Sequence, residues 1–197
     1  MNLISSVSKA SAQSVWMAWE SLFDQVTKLR SASVRKYGIC KLVTRRHHGK
    51  SVECQDGQWI HRGDWVGELH LDNRQVLQMS KELGPDRAAL MTARMLRRSM
   101  KQISEALETD AELMQVQALT GITLLHRGII HGLGFELHPL DSKGFRIFST
   151  YYLRLLMRVL HPVGRERTKQ NAPKLVPKML IMTRESLLAR YAKDGLS

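Results

Sequence analysis

The sequence predicts a single α+β domain in which a mixed β-sheet with an N-terminal hairpin is packed by an amphipathic N-terminal helix and several later helices. Three observations lead there. The 197 residues suffice for one domain with a sizeable core and are short for two. The run Gly63-Asp64-Trp65-Val66-Gly67-Glu68-Leu69-His70-Leu71-Asp72-Asn73 opens on a turn and then alternates as a strand does. Around it, helical periodicities alternate with short apolar strands, the order expected of a mixed sheet.

In chain order, residues 1–8 are expected to be disordered. Val15, Trp16, Trp19, Leu22, Phe23, Val26 and Leu29 recur at helical spacing, so residues 8–34 are expected to form an amphipathic helix with its tryptophans in the core. Residues 37–46 and 50–60 are expected to pair as an antiparallel hairpin, turning at His48-Gly49-Lys50, with a second turn at Asp56-Gly57. A strand follows over 65–71. A short helix from Arg74 to Leu83 breaks at Gly84-Pro85. Pro85 then suits the first turn of a helix running to Glu108, and Asp86 favours its dipole. Ala89, Ala93, Leu96, Met100, Ile103 and Leu107 are its expected buried stripe. Arg87, Arg94, Arg98 and Lys101 fall on nearly the opposite face.

Gln115 to Leu124 is expected to be a buried strand, Leu125 to Leu133 a short helix, and residues 134–138 a further short strand. Ile147, Phe148, Tyr151, Tyr152, Leu155, Leu156 and Val159 predict a long, mostly buried helix ending before His161-Pro162. Residues 162–178 form a basic loop carrying Arg165, Arg167, Lys169, Lys174 and Lys178. Met179 to Met182 is a short strand, and Thr183 caps a final helix with Glu185 in its first turn.

The formal net charge of +12 favours anionic partners such as nucleic acid, anionic lipid headgroups, or a phosphorylated or acidic glycan. Cys40 and Cys54 belong to no C-x-x-C pair, so no zinc knuckle or redox motif is present. They lie in segments expected to neighbour one another, as reduced and partly buried thiols. The N-terminus lacks a basic start followed by an apolar core, and no apolar run approaches the ~20 residues of a membrane-spanning helix. The expectation is a cytosolic protein that meets a membrane, if at all, at its surface, and that folds without metal, cofactor or disulfide.

Three constellations could carry chemistry. Glu68, His70 and Asp72 share one side of the 65–71 strand. They could hold a metal with His126, His131 or His138, or set a carboxylate to orient His70 as a general base. Without an H-E-x-x-H or H-x-H pattern, no metal is expected. Thr123, His126 and Arg127 sit at a strand-to-helix junction, where open sheets bind ligands and where Arg127 could meet an anion. The third is the Arg87, Arg94, Arg98 and Lys101 stripe with the loop arginines Arg165 and Arg167. A G-x-S-x-G elbow, a G-x-x-x-x-G-K-[ST] loop and a G-x-G-x-x-G fingerprint are all missing. Helix-turn-helix, zinc and aromatic RNA-binding patterns are missing as well.

Three segments in order carry a family resemblance. They are residues 63–73 as quoted above; Gly121-Ile122-Thr123-Leu124-Leu125-His126-Arg127-Gly128 with Gly134-Phe135; and His161-Pro162 with Pro177-Lys178-Met179-Leu180-Ile181-Met182-Thr183-Arg184-Glu185-Ser186-Leu187-Leu188-Ala189-Arg190-Tyr191. Together they resemble the YkoP-like domain family of spore-forming Gram-positive bacteria, over about residues 16–192. Such domains occur alone or after a polysaccharide deacetylase domain. The resemblance therefore implies an association with envelope or spore glycan metabolism. The deacetylase domain's own catalytic pattern is missing here, and the resemblance brings no catalytic residues with it.

The leading expectation is an accessory or binding domain for envelope polysaccharide or lipid-linked glycan metabolism, which binds an anionic ligand or an anionic membrane surface. One rival is a small hydrolase or transferase using His70 as base, Glu68 as its orienting partner, and His126 or Arg127 as an oxyanion or phosphate stabiliser. Asp72, Thr123 and Arg127 would then touch the ligand. Another rival is non-specific nucleic-acid binding, which charge favours and motifs do not.

Overall fold

The computed structural model describes residues 33–123, 132–140, 147, 149–151 and 177–191. All but the last two residues of the expected helix over 8–34, of the expected short helix Leu125 to Leu133 and of the basic loop 162–178 lie outside these residues, as does most of the long helix from Ile147; Lys178, expected to end that loop, begins a strand. The described elements are β1 (Ser33–Tyr37), β2 (Cys40–Arg46), β3 (Val52–Glu53), β4 (Trp59–Ile60) and β5 (Trp65–Leu71). They continue with α1 (Asn73–Leu83), α2 (Pro85–Thr109), β6 (Val116–Thr123), β7 (Glu136–Pro139), β8 (Lys178–Thr183) and α3 (Arg184–Tyr191). Six strands form one mixed sheet in the order β1-β2-β5-β6-β8-β7. Only β5 and β6 run parallel, as the crossover through α1 and α2 requires.

The hairpin differs from the expected one. It joins β1 to β2 through Gly38-Ile39, not residues 37–46 to 50–60. Residues 33 and 34, expected at the end of a helix, begin β1. On its other side β2 pairs with β5, while the 50–60 segment folds into the separate two-stranded ribbon β3–β4. The tight turn works because Gly38 takes φ 54°, a left-handed conformation that costs glycine little. The next amide is buried, and Ile39 N donates to Ser99 Oγ of α2 at 3.1 Å. Ser99 Oγ donates in turn to Met95 O at 3.0 Å. A Cβ on Gly38 would lie 2.6 Å from Ser99 Oγ, so the turn and the helix meet with no room for a methyl group.

The main core lies between the sheet and its helices. Leu42, Leu119 and Met182 from the strands meet Met100, Ile103 and Leu107 of α2 and Leu187 and Tyr191 of α3. Gly67 makes this close packing possible at the sheet's centre, because a Cβ there would stand 2.6 Å from Leu42 Cδ1 and 3.0 Å from Leu119 Cδ2. A smaller core lies on the other face, where Cys54 and Ile60 of the ribbon segment pack on Val66, Ala118 and Ile181. Cys40 belongs to the main core and Cys54 to the smaller one, so the two thiols sit on opposite sides of the sheet.

The helix expectations hold in position and shift in phase. Met100, Ile103 and Leu107 are buried and Leu96 is half-buried, but Ala89 and Ala93 are exposed and Ala88 takes the buried position. Ile147 and Tyr151, expected on a buried stripe, are exposed. At the last helix, Thr183 Oγ1 accepts from Ser186 N at 3.1 Å, the cap that the sequence predicts.

The turn-to-helix contact yields a stability test. Ser99→Ala leaves the buried Ile39 amide without its acceptor and is expected to cost about 1–3 kcal/mol. Gly38→Ala combines backbone strain with the clash on Ser99 Oγ and should cost at least as much. Urea denaturation of both variants checks this. Unchanged midpoints would mean that the turn is not held by α2.

Candidate functional site

Strand alternation divides β5 between two environments. Gly67, Leu69 and Leu71 face the main core, and Val66, Glu68 and His70 face the other side. Trp65 is set apart by a register shift against β6, and its ring receives the Arg46 guanidinium at 4.0 Å. The registers carry the Glu68 side across the sheet as a row of Val43, Glu68, Thr120, Ile181 and Glu136. Lys36, Lys41 and His70 form the neighbouring row on the β1–β2–β5 half, and Ile122, Met179 and His138 on the other half.

Glu68 is held from two directions. It forms an ion pair with Arg45, its diagonal neighbour on β2, and its other oxygen lies 3.5 Å from His70 Nε2. The Arg45 contact is a charge-assisted pair. The His70 contact stands at the outer limit of hydrogen-bond geometry. The carboxylate is thus first the partner of an arginine and only second an orienting group for His70.

Asp72 does not join this pair. It is the N-cap of α1: its side chain accepts from Gln75 N at 3.3 Å and from Gln75 Nε2 at 2.9 Å, and Lys36 Nζ lies 3.1 Å away. Burial works to raise its pKa, but the bonds from Gln75 and Lys36 prevail and hold the carboxyl below its ordinary value. Thr123 alternates with Thr120 and Ile122 and therefore belongs to the main-core side of β6, opposite Glu68 and His70. Thr120, paired with Glu68 in the register, is the polar β6 residue on the shared side. His126, Arg127, Arg165 and Arg167 lie outside the described residues.

Neither cysteine is a ready nucleophile. Burial, partly offset by a bond to Ser99, pushes the Cys40 thiol up to about 11. Burial and then the charges of Glu136 and Asp56 push Cys54 to about 11.

The cationic stripe on α2 is present and larger than the sequence expectation. Arg87, Leu90, Met91, Arg94, Arg97, Arg98 and Lys101 follow one another at steps of three or one, so they share the outward arc of the helix, and all are exposed. Among the described residues, Arg87, Arg94, Arg98 and Lys101 have no ion-pair or side-chain hydrogen-bond partner. Arg97 donates to Gly132 O at 3.0 Å. Leu90 and Met91 are 57% and 40% exposed within this stripe, an apolar pair ringed by cations. Sequence reasoning missed Leu90, Met91 and Arg97, although their spacing was sufficient to place them. It also missed the Glu136–His138 pair on β7, 3.1 Å apart, which strand alternation puts on one side.

The capping role of Asp72 has a pH signature. Its folded-state pKa lies below the unfolded value near 3.8, so its stabilisation is complete above that value and is lost as pH falls through the folded one. Asp72→Ala is expected to cost about 0.5–2 kcal/mol at neutral pH. The gap to the unsubstituted protein should close in acid. Urea midpoints across a pH series measure it, and a gap that is constant with pH would contradict the role.

The comparisons with known proteins bear on family alone. No curated protein and no solved structure matches the chain. The family model described as YkoP domain matches residues 9–191, which is most of its length, and the chain belongs to the YkoP domain family.

Proposed function

We propose that this protein is a non-catalytic accessory or binding domain of bacterial envelope polysaccharide or lipid-linked glycan metabolism, and that the outward face of α2 binds its anionic ligand or surface. The observation that carries this is the set of cations Arg87, Arg94, Arg98 and Lys101, without a partner among the described residues, around exposed Leu90 and Met91. Solvated arginines on a helix normally alternate with acids. Here no acid interrupts the outward positions from Arg87 to Lys101, and Glu105 comes only beyond the last cation. Such a face attracts phosphate or carboxylate groups over a Debye length and gains further from burying two apolar side chains against an interface. Association with glycan metabolism rests on what the YkoP family implies. The protein would act at the cytoplasmic membrane surface, and among the described residues no helix is long and apolar enough to cross a membrane.

The enzyme reading draws on Glu68 and His70. The first commitment of Glu68 to Arg45 and of Asp72 to a helix cap favours a structural role for both carboxylates.

Cosedimentation with vesicles tests the proposal. Binding is expected on vesicles rich in anionic lipid or polyprenyl phosphate, to weaken with salt, and to be absent on neutral vesicles. Arg94→Glu with Arg98→Glu should weaken it by on the order of 30-fold or more at unchanged stability, since each basic residue near a charged surface contributes about 1 kcal/mol. Leu90→Asn should weaken vesicle binding and leave binding of a soluble anionic glycan unaltered. Equal binding to neutral vesicles, or retention by the double variant, would overturn it. A salt-steep preference for duplex DNA over both anionic targets would favour nucleic acid instead.

A further inference from the structure

The turn of the β3–β4 ribbon and strand β7 bring three potential metal ligands together away from α2. The Cys54 thiol, an Asp56 oxygen and a Glu136 oxygen all lie within 4.8 Å of one another. From this juxtaposition we infer a binding site for a zinc-type divalent cation, with Cys54, Asp56 and Glu136 as its protein ligands.

The surroundings argue for a cation in three ways. First, the two carboxylates and the thiol have no lysine or arginine partner among the described residues. The basic partner that the geometry gives them among the described residues is His138, whose Nε2 lies 3.1 Å from Glu136 Oε2. Like charges this close are costly unless a positive charge compensates them. Second, Cys54 is 4% exposed and its sulfur makes no hydrogen bond among the described residues, so an unpartnered thiol from the small core lies within the group. Third, both carboxylates are fixed by donors that leave acceptor capacity. Glu136 Oε1 accepts from Gln55 N at 2.8 Å. Asp56 Oδ1 accepts from Gln58 N at 3.1 Å, and Asp56 Oδ2 accepts from Ser186 Oγ at 2.6 Å and from Thr183 Oγ1. Each carboxylate offers about four lone-pair sites, so Glu136 keeps room on both oxygens and Asp56 on Oδ1. These donors would serve as the outer shell that orients metal ligands.

One sulfur and two carboxylates match the borderline preference of zinc better than the all-oxygen preference of magnesium or calcium. Binding exchanges the Cys54 S–H bond for an S–metal bond and releases that proton to solvent. Asp56 is exposed, so water can complete the coordination sphere. The main core contains none of these residues. The fold therefore does not depend on the ion, and the ion's effect should be local to the ribbon and β7.

The test uses the full chain stripped of metal, titrated with Co²⁺ and with Zn²⁺ alone. One equivalent of Co²⁺ should produce a thiolate-to-cobalt charge-transfer band in the near ultraviolet, and Zn²⁺ should bleach it by displacement. Cys54→Ala should abolish the band, and Glu136→Gln and Asp56→Asn should each raise the dissociation constant at least ~10-fold. If Cys54→Ala fails to fold, the two carboxylate variants and the band of the unsubstituted protein still decide. Absence of the band, binding without sulfur ligation, or affinity indifferent to Asp56→Asn and Glu136→Gln would each overturn the site.

Discussion

The interaction on which the rest of this structure depends is the seating of α2 across one face of the sheet. Met100, Ile103 and Leu107 are completely buried against Leu42, Leu119 and Met182. Burying side chains of this size is worth roughly 1.5–3 kcal/mol each, more than any ion pair described here can supply. Ser99 ties the same helix to the β1–β2 turn. A helix fixed this firmly on one side leaves its opposite arc in a constant orientation. A row of arginines there is presented from a fixed backbone on one side of the molecule.

The other face of the sheet is organised differently. Its charges are arranged in local couples, Arg45 with Glu68, Lys36 with Asp72 and Glu136 with His138. The backbones of Glu68 and Glu136 lie three strand positions apart, ~14 Å at a spacing of ~4.8 Å per strand. The two histidine–carboxylate couples are therefore too distant to share one proton or one ion. Each of those carboxylates has a basic partner, Glu68 on the adjacent strand β2, Glu136 on its own strand and Asp72 on β1, whereas α2 carries a row of cations without one among the described residues. This contrast of paired sheet face and unpaired helix face is why the proposed function turns to the helix.

Much of this was legible in the chain because it was local. The alternation over 65–71, the Gly84-Pro85 break and the Thr183 cap each rest on residues a few positions apart, and each is found where the sequence put it. The hairpin was misplaced because Gly38 stands between apolar and basic residues that continue the strand pattern on both sides. The stronger turn signal at Gly49 hid it. The α2 stripe began one residue early because Ala88 and Ala89 are indistinguishable by hydrophobicity, and only packing chooses between them. Asp72 was grouped with Glu68 and His70 by alternation, but the strand ends at Leu71, and beyond that point the carboxylate serves the helix. The gathering of Cys54, Asp56 and Glu136 was not legible at all. It spans about 80 residues of chain and exists only because the ribbon folds beneath β8 and β7.

The central claim is that the outward arc of α2 is the surface that binds the anionic partner and the Glu68–His70 pair on β5 is not. Hydrogen–deuterium exchange with and without anionic vesicles tests it most directly. The account predicts added protection in α2 from about residue 86 to 101 and unchanged exchange in β2 and β5. Protection centred on β2 and β5 with α2 unaffected would contradict it.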